Sequence, residues 1–185
     1  KSEWRWLSFP KPRPLYNLPC LAQFPDANVI IVEGEKCADA LRGVFEGQPV
    51  CVVSWAGGGK AVKHADWSVL AGRKVVIWPD HDSKVYKKDH EKAGQVMPVD
   101  EQPGMVAAVK ISEMLPDSCD AKIMGYVTSV RADGWDCADL IEEQPEITPA
   151  DVLAFIQGGL NQPQPDQPQP DQPTTDEAIP LGEEP

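Results

Sequence analysis

Apolar residues follow two alternating rhythms along this chain. Three short runs, at 29–32, 50–54 and 75–78, are nearly continuous and rich in β-branched residues, and a fourth strand is expected at 121–127. Runs of that kind suit strands buried on both faces, as in a parallel sheet. Between them the spacing lengthens to a helical period. Ala38, Leu41, Val44 and Phe45 follow the first run, and Met105, Ala108, Val109, Ser112 and Leu115 precede the fourth strand. Each set marks one face of a helix. Shorter helical pieces are expected at 18–24 and 66–70. Two more follow capping patterns, one opened by Asp136 and Asp139, the other by Thr148, Pro149 and Asp151 and closed by Gly158 and Gly159. Strand and helix alternate, so the expected fold is α/β: one domain with a mainly parallel four-stranded sheet and helices on both faces.

The pattern also sets boundaries. Residues 1–27 read as an extended lead-in, because Pro10, Pro12 and Pro14 block a helix. Its Trp4, Arg5, Trp6, Phe9, Lys11 and Arg13 suit either stacking on a single strand or docking of the aromatics on the domain. Residues 28–160 form the folded domain. Within it, 83–104 is a polar insertion carrying Lys84, Lys87, Lys88, His90 and Lys92, read as a basic lid or as a solvated loop. From residue 161 the pattern stops. QPQPD occurs twice in tandem, and 161–185 is expected to be a disordered tail. The chain starts at Lys1 rather than Met and reads as a piece of a longer protein.

Composition narrows the choices. The net charge is −12, with six acidic and no basic residues in 161–185. An acidic body argues against coating nucleic acid without regard to sequence, yet leaves room for a local basic track. Five cysteines include no C-x-x-C pair, so a zinc knuckle is not signalled, and reduced buried thiols in a cytoplasmic protein are expected. No apolar run is long enough to span a bilayer.

The candidate chemistry lies where the strands end. Glu33 follows the first run, in the sequence VEGEK, and Asp80 and Asp82 follow the third, in WPDHD. Ligands of open α/β sheets bind outside the carboxyl ends of strands. If the two strands are neighbours, the three carboxylates share one edge and could hold a hard cation, Mg²⁺ or Mn²⁺. The simpler reading is that they cap helices. Trp55 to Lys60, WAGGGK, fails the P-loop pattern, since Ser54 stands where the first glycine belongs and Ala61 where Ser or Thr belongs. It reads either as a flexible turn or as a phosphate cradle formed by Gly57, Gly58 and Lys60. Lys36 could pair with Glu33 or reach a phosphate, and could equally be a solvated helix lysine. Asp136 is an accessory candidate with a strong capping explanation.

In order along the chain, PRPLYNL, VEGEKCADAL, SWAGGGKAV, WPDHD and GWDCADLIE resemble the Toprim domain, most closely that of phage- and plasmid-type DNA primases. The resemblance spans about residues 12–145, in segments. It implies a Toprim-like sheet and Mg²⁺-dependent nucleotidyl transfer, making RNA primers from NTPs on single-stranded DNA, with a replicative helicase as an expected partner. It further implies Glu33 as general base or acid, and Asp80 and Asp82 with Glu33 as metal ligands. Gly34 beside Glu33, and Lys84, Lys87 and Lys88 of the lid, are read as phosphate contacts from their place next to these acids. Cys37 stands where many Toprim sequences carry a further acidic residue, and the 83–104 insertion is longer than usual. A Toprim nuclease and a non-catalytic assembly module of the same fold are the alternatives.

Overall fold

A computed structural model describes residues 9–126 and 131–162. Trp4, Arg5, Trp6 and the tail from residue 163 lie outside the described residues. The three runs and the expected fourth strand form β1 (Asn28–Val32), β2 (Val50–Val53), β3 (Lys74–Trp78) and β4 (Asp120–Ile123). They make one all-parallel sheet in the order β2-β1-β3-β4. The fold is α/β, as expected. Strand β1 is central: Val29 lies opposite both Cys51 and Val75, and Val32 opposite Trp78.

Alternation along β1 divides the core in two. Val29 and Ile31 face a layer containing Leu21, Trp55, Val62, Trp67, Leu70, Ala108 and Ile111. Ile30 and Val32 face the other, containing Ala38, Leu41, Phe45, Leu140, Val152 and Ile156. The first layer is built from α1 (Leu18–Gln23), two 3-10 turns (Gly59–His64 and Trp67–Leu70) and α3 (Pro103–Met114). The second is α2 (Glu35–Val44), α4 (Cys137–Glu143) and α5 (Pro149–Leu160). The four apolar residues of β1 are 0–3 % exposed. Each such burial contributes roughly 1.5–3 kcal/mol. The capping boxes at Asp136 with Asp139 and at Thr148 with Asp151 both form.

Three expectations change. Strand β4 ends at Ile123, short of the expected 127, because Gly125 donates its N–H to the Gly159 carbonyl at 3.0 Å and leaves the ladder. Cys20 and Cys51 form a disulfide that ties α1 to β2, whereas all five cysteines were expected as thiols. Their Cα atoms lie 5.8 Å apart, within reach of a bridge. Third, the insertion is the expected loop as far as residue 98, but it is pinned to the domain rather than hanging free. Val85 and Val96 pair antiparallel, and Met97 donates to the Lys84 carbonyl at 2.9 Å. Gln102, 2 % exposed, holds both arms: its Oε1 accepts from Lys84 N–H and its Nε2 donates to the Lys84 and Met97 carbonyls. No helix among the described residues is long and apolar enough to cross a membrane.

Arg73, just before β3, closes the end of α1. Its guanidinium donates to the Leu21, Phe24 and Ala27 carbonyls at 2.9, 3.0 and 3.3 Å. Charged donors to otherwise orphaned helix-end carbonyls are worth about 1.5–3 kcal/mol. Arg73→Ala is therefore expected to lower stability by about that amount in urea unfolding, while Lys74→Ala, exposed beside it, stays within about 0.5 kcal/mol.

Candidate active site

Parallel strands bring their carboxyl ends to one edge. Because β1 lies between β2 and β3, the segments leaving all three strands meet there. Glu33 is the first residue after β1, the glycine turn 57–59 follows β2, and Asp80 lies two residues past β3. The three carboxylates expected on one rim are therefore on one rim.

Glu33 is fixed by the glycine turn. Its Oε1 accepts the Gly59 N–H at 3.0 Å. The turn can approach because Gly57 and Gly58 have φ of +102° and +69°, a region that side chains rarely adopt. A Cβ on Gly57 would also come 2.9 Å from the Ala61 Cβ and 3.1 Å from Arg13 Nη1. Trp55 pins the same turn by donating from Nε1 to the Gly58 carbonyl at 2.9 Å. So at least one amide of the supposed phosphate cradle holds a carboxylate of the protein itself. Burial pushes the Glu33 carboxyl above its usual range, the Gly59 amide opposes this, and the charge of Asp82 adds to the rise.

Asp80 is the least relieved acid on the rim. No side-chain hydrogen bond reaches it among the described residues, and no basic group offsets it. Burial, followed by the charges of Glu33, Asp136, Asp82 and Asp139, pushes its carboxyl up to about 8. Two acidic loops thus become three contributing segments, since Asp136 and Asp139 open α4. Asp136 is both the expected cap, accepting from Ala138 and Asp139 N–H at 2.7 and 3.0 Å, and a charge that acts on Asp80.

Asp82 is partnered, unlike Asp80. Its Oδ2 accepts the Gly104 N–H at 2.7 Å, at the start of α3, and its Oδ1 lies 3.6 Å from Lys84 Nζ. Its own N–H donates to the Tyr126 hydroxyl at 3.1 Å. Sequence reasoning noted Pro103 and Gly104 only as a helix start. A Cβ on Gly104 would lie 2.6 Å from the Asp80 carbonyl oxygen, so only glycine lets α3 come this close. Tyr126, whose ring stacks on His81 at 4.3 Å, was likewise missed, because it lies past the end of β4 with no motif around it.

The basic candidates are scattered. Lys36 is exposed and makes no ion pair with Glu33 among the described residues. Gly34, at φ +82°, caps α2 with open space around it. Lys84 is tied to Asp133 at 2.6 Å. Lys87 and Lys88 are exposed on the insertion. Lys84 and Lys87, with Val85, Tyr86, His90 and Met97, line a cavity of about 630 Å³ next to the start of α3. Lys60 is exposed where the glycine turn enters the 3-10 turn Gly59–His64.

Among the described residues, no three or more His, Cys, Asp or Glu side chains already form a metal cage. A hard cation does not need one: Mg²⁺ is commonly held by one or two carboxylates, with waters and phosphate oxygens completing the shell. An unbonded acid among like charges suits that chemistry, so Asp80, with Glu33 beside it, fits a divalent ion. No protein-family model matches this chain, and neither a curated protein nor a solved structure shows significant similarity to it.

Proposed function

We propose that this rim is a divalent-metal-dependent phosphoryl-transfer centre, and that the chain is the Toprim-like catalytic module of a phage- or plasmid-type DNA primase. It joins NTPs into short RNA primers on single-stranded DNA. The observation that carries the reading is Asp80, an acid held among Glu33, Asp82, Asp136 and Asp139 with nothing to relieve it. Strongly perturbed acids in a strand-end cleft concentrate at functional sites. The ordered motifs that resemble primases favour polynucleotide chemistry over other phosphoryl transfers.

Glu33 and Asp80 would hold Mg²⁺ or Mn²⁺, which when bound supplies positive charge against the phosphoryl oxygens and the leaving pyrophosphate. The chain's own groups do the rest. Glu33, oriented by the Gly59 amide and less acidic than usual, accepts the proton of the attacking hydroxyl. Asp82 positions the rim by fixing the start of α3 and holding Lys84. Lys87 and Lys88, exposed on the insertion, meet the triphosphate.

Primer synthesis by the full protein on circular single-stranded DNA tests this. Glu33→Gln is expected to lower the rate about 10²–10⁴-fold, the usual worth of a general base, with an unchanged circular dichroism spectrum. Nicking of plasmid without NTPs would assign a nuclease instead. Equal rates in variant and wild type would assign a non-catalytic assembly role.

A further inference from the structure

We infer that a basic surface on the flank of the glycine turn, formed by Lys11, Arg13, Lys60, Lys63 and His64, carries the single-stranded template toward the rim. Two stretches far apart in sequence build it. Arg13 pairs with Ala65 in a parallel bridge, its N–H donates to the His64 carbonyl at 2.6 Å, and Asp66 N–H donates to the Arg13 carbonyl at 2.8 Å. That pairing sets Lys11 and Arg13 alongside Lys63 and His64. Lys60 and Lys63 lie three apart in the 3-10 turn Gly59–His64, where positions i and i+3 eclipse, so both project from one side. The mutual charge is felt at His64, whose imidazole is lowered by burial and then by Lys11, Arg13 and Lys63.

No acid pairs with this surface among the described residues: the carboxylate of nearby Asp66 is taken by Ser68, accepting from its N–H and hydroxyl. Lys84, Arg42 and Arg131 each pair with an acid elsewhere. Lys11, Lys60 and Lys63 are exposed without an acidic partner among the described residues, and Arg13 Nε is buried with no hydrogen-bond partner. In a chain of net charge −12, a cluster of this kind is a local sink for a polyanion. It also has a direction. Arg13 Nη1 donates to the Ala56 carbonyl at 3.3 Å and touches the turn whose Gly59 amide holds Glu33. Phosphates along the cluster therefore lead into the acidic rim. Phe9, two residues before Lys11 and 67 % exposed, offers a ring to an unpaired base. Stacking of that kind favours a single strand over a duplex.

The inference rests on the proposed reading of the rim for the identity of the strand. Its test is a binding measurement without metal or NTP, so either can fail while the other stands. Fluorescence anisotropy of a labelled oligothymidylate, titrated with the full protein in EDTA across a salt series, is the assay. Lys11→Ala/Lys60→Ala/Lys63→Ala is expected to weaken binding at least tenfold and to flatten the log–log salt slope by about 2, since each lost phosphate contact on a single strand removes about 0.7. Lys110→Ala/Lys122→Ala, which removes lysines outside the cluster, is expected to bind as wild type. Phe9→Ala is expected to lose about fivefold or more in affinity. Equal binding by the two multiple variants overturns the inference, as does a duplex bound as tightly as the single strand. Competition by polyglutamate on equal terms with the oligonucleotide also overturns it.

Discussion

Asp80→Asn is expected to make the metal-free protein more stable at pH 8 while abolishing its response to Mg²⁺. The Asp80 carboxyl stands near 8 in the fold against an ordinary value of 3.8. The native chain thus holds a proton that the unfolded chain releases between about pH 4 and pH 8. Stability falls with rising pH wherever the native state binds more protons. The wild type therefore loses stability across that window, and below it both states are protonated and the penalty vanishes. Allowing for solvent screening of this partly exposed group, the loss amounts to about 2–3 kcal/mol. Asparagine imitates the protonated form, so the variant gains this amount at pH 8 and nothing below pH 4. For a domain of this size that is a Tm gain of roughly 5–10 °C. Mg²⁺ reverses the ranking, because a cation that binds only the folded wild type stabilises it by mass action. The same proton must leave before the metal enters, so apparent Mg²⁺ affinity is expected to fall about tenfold per pH unit below pH 8. Thermal unfolding at pH 4, 6 and 8, with EDTA or Mg²⁺, reads all of this. A variant no more stable than wild type at pH 8 in EDTA would deny that Asp80 is a strained acid.

Gly104→Ala is the second large effect. The added Cβ would stand 2.6 Å from the Asp80 carbonyl oxygen and 3.1 Å from the Asp80 nitrogen. Both contacts are backbone, so α3 or the strand-end turn must move. Overpacking of this kind costs about 1–3 kcal/mol. Movement also breaks the 2.7 Å bond from Gly104 N–H to Asp82 and displaces Asp80. Activity is therefore expected to fall at least a hundredfold, beyond what the loss of folded protein explains. Gly43→Ala is the contrast: the site lies in the last turn of α2 with nothing within 4 Å, and alanine there is expected to be neutral or to add up to about 0.5–1 kcal/mol. Denaturant unfolding and primer synthesis on both variants check the pair.

Much of this was legible in the residues. The β-branched runs gave β1, β2 and β3, because consecutive buried apolar positions leave no solvent face; β4 has only Ile123 of that kind and alternates exposed with half-buried positions. The helical spacings gave α2 and α3, and the two capping boxes announced α4 and α5. A shared edge for Glu33 and Asp80 followed from a parallel sheet, since strands of one direction end on one side. Less was legible where a backbone group reaches across the fold. Gly59 donating to Glu33, and Gly104 to Asp82, depend on how turns from different strands lie against each other, and no local pattern encodes that. The insertion misled because it is polar. Its attachment to the domain rests on one buried amide, Gln102, bonded to two distant carbonyls, and a polar residue gives no periodic signal. The Cys20–Cys51 bridge joins residues 31 apart whose meeting requires α1 to dock on β2, a contact that spacing does not reveal.

The central claim is that Glu33 and Asp80 together hold a divalent cation that works on phosphate. Anomalous diffraction from crystals of the protein soaked in Mn²⁺ with a non-hydrolysable NTP tests it most directly. A manganese peak in contact with the carboxylates of both Glu33 and Asp80 and with the triphosphate is expected, as is its loss in Asp80→Asn. Manganese bound only elsewhere, or a triphosphate seated away from this rim, would contradict it.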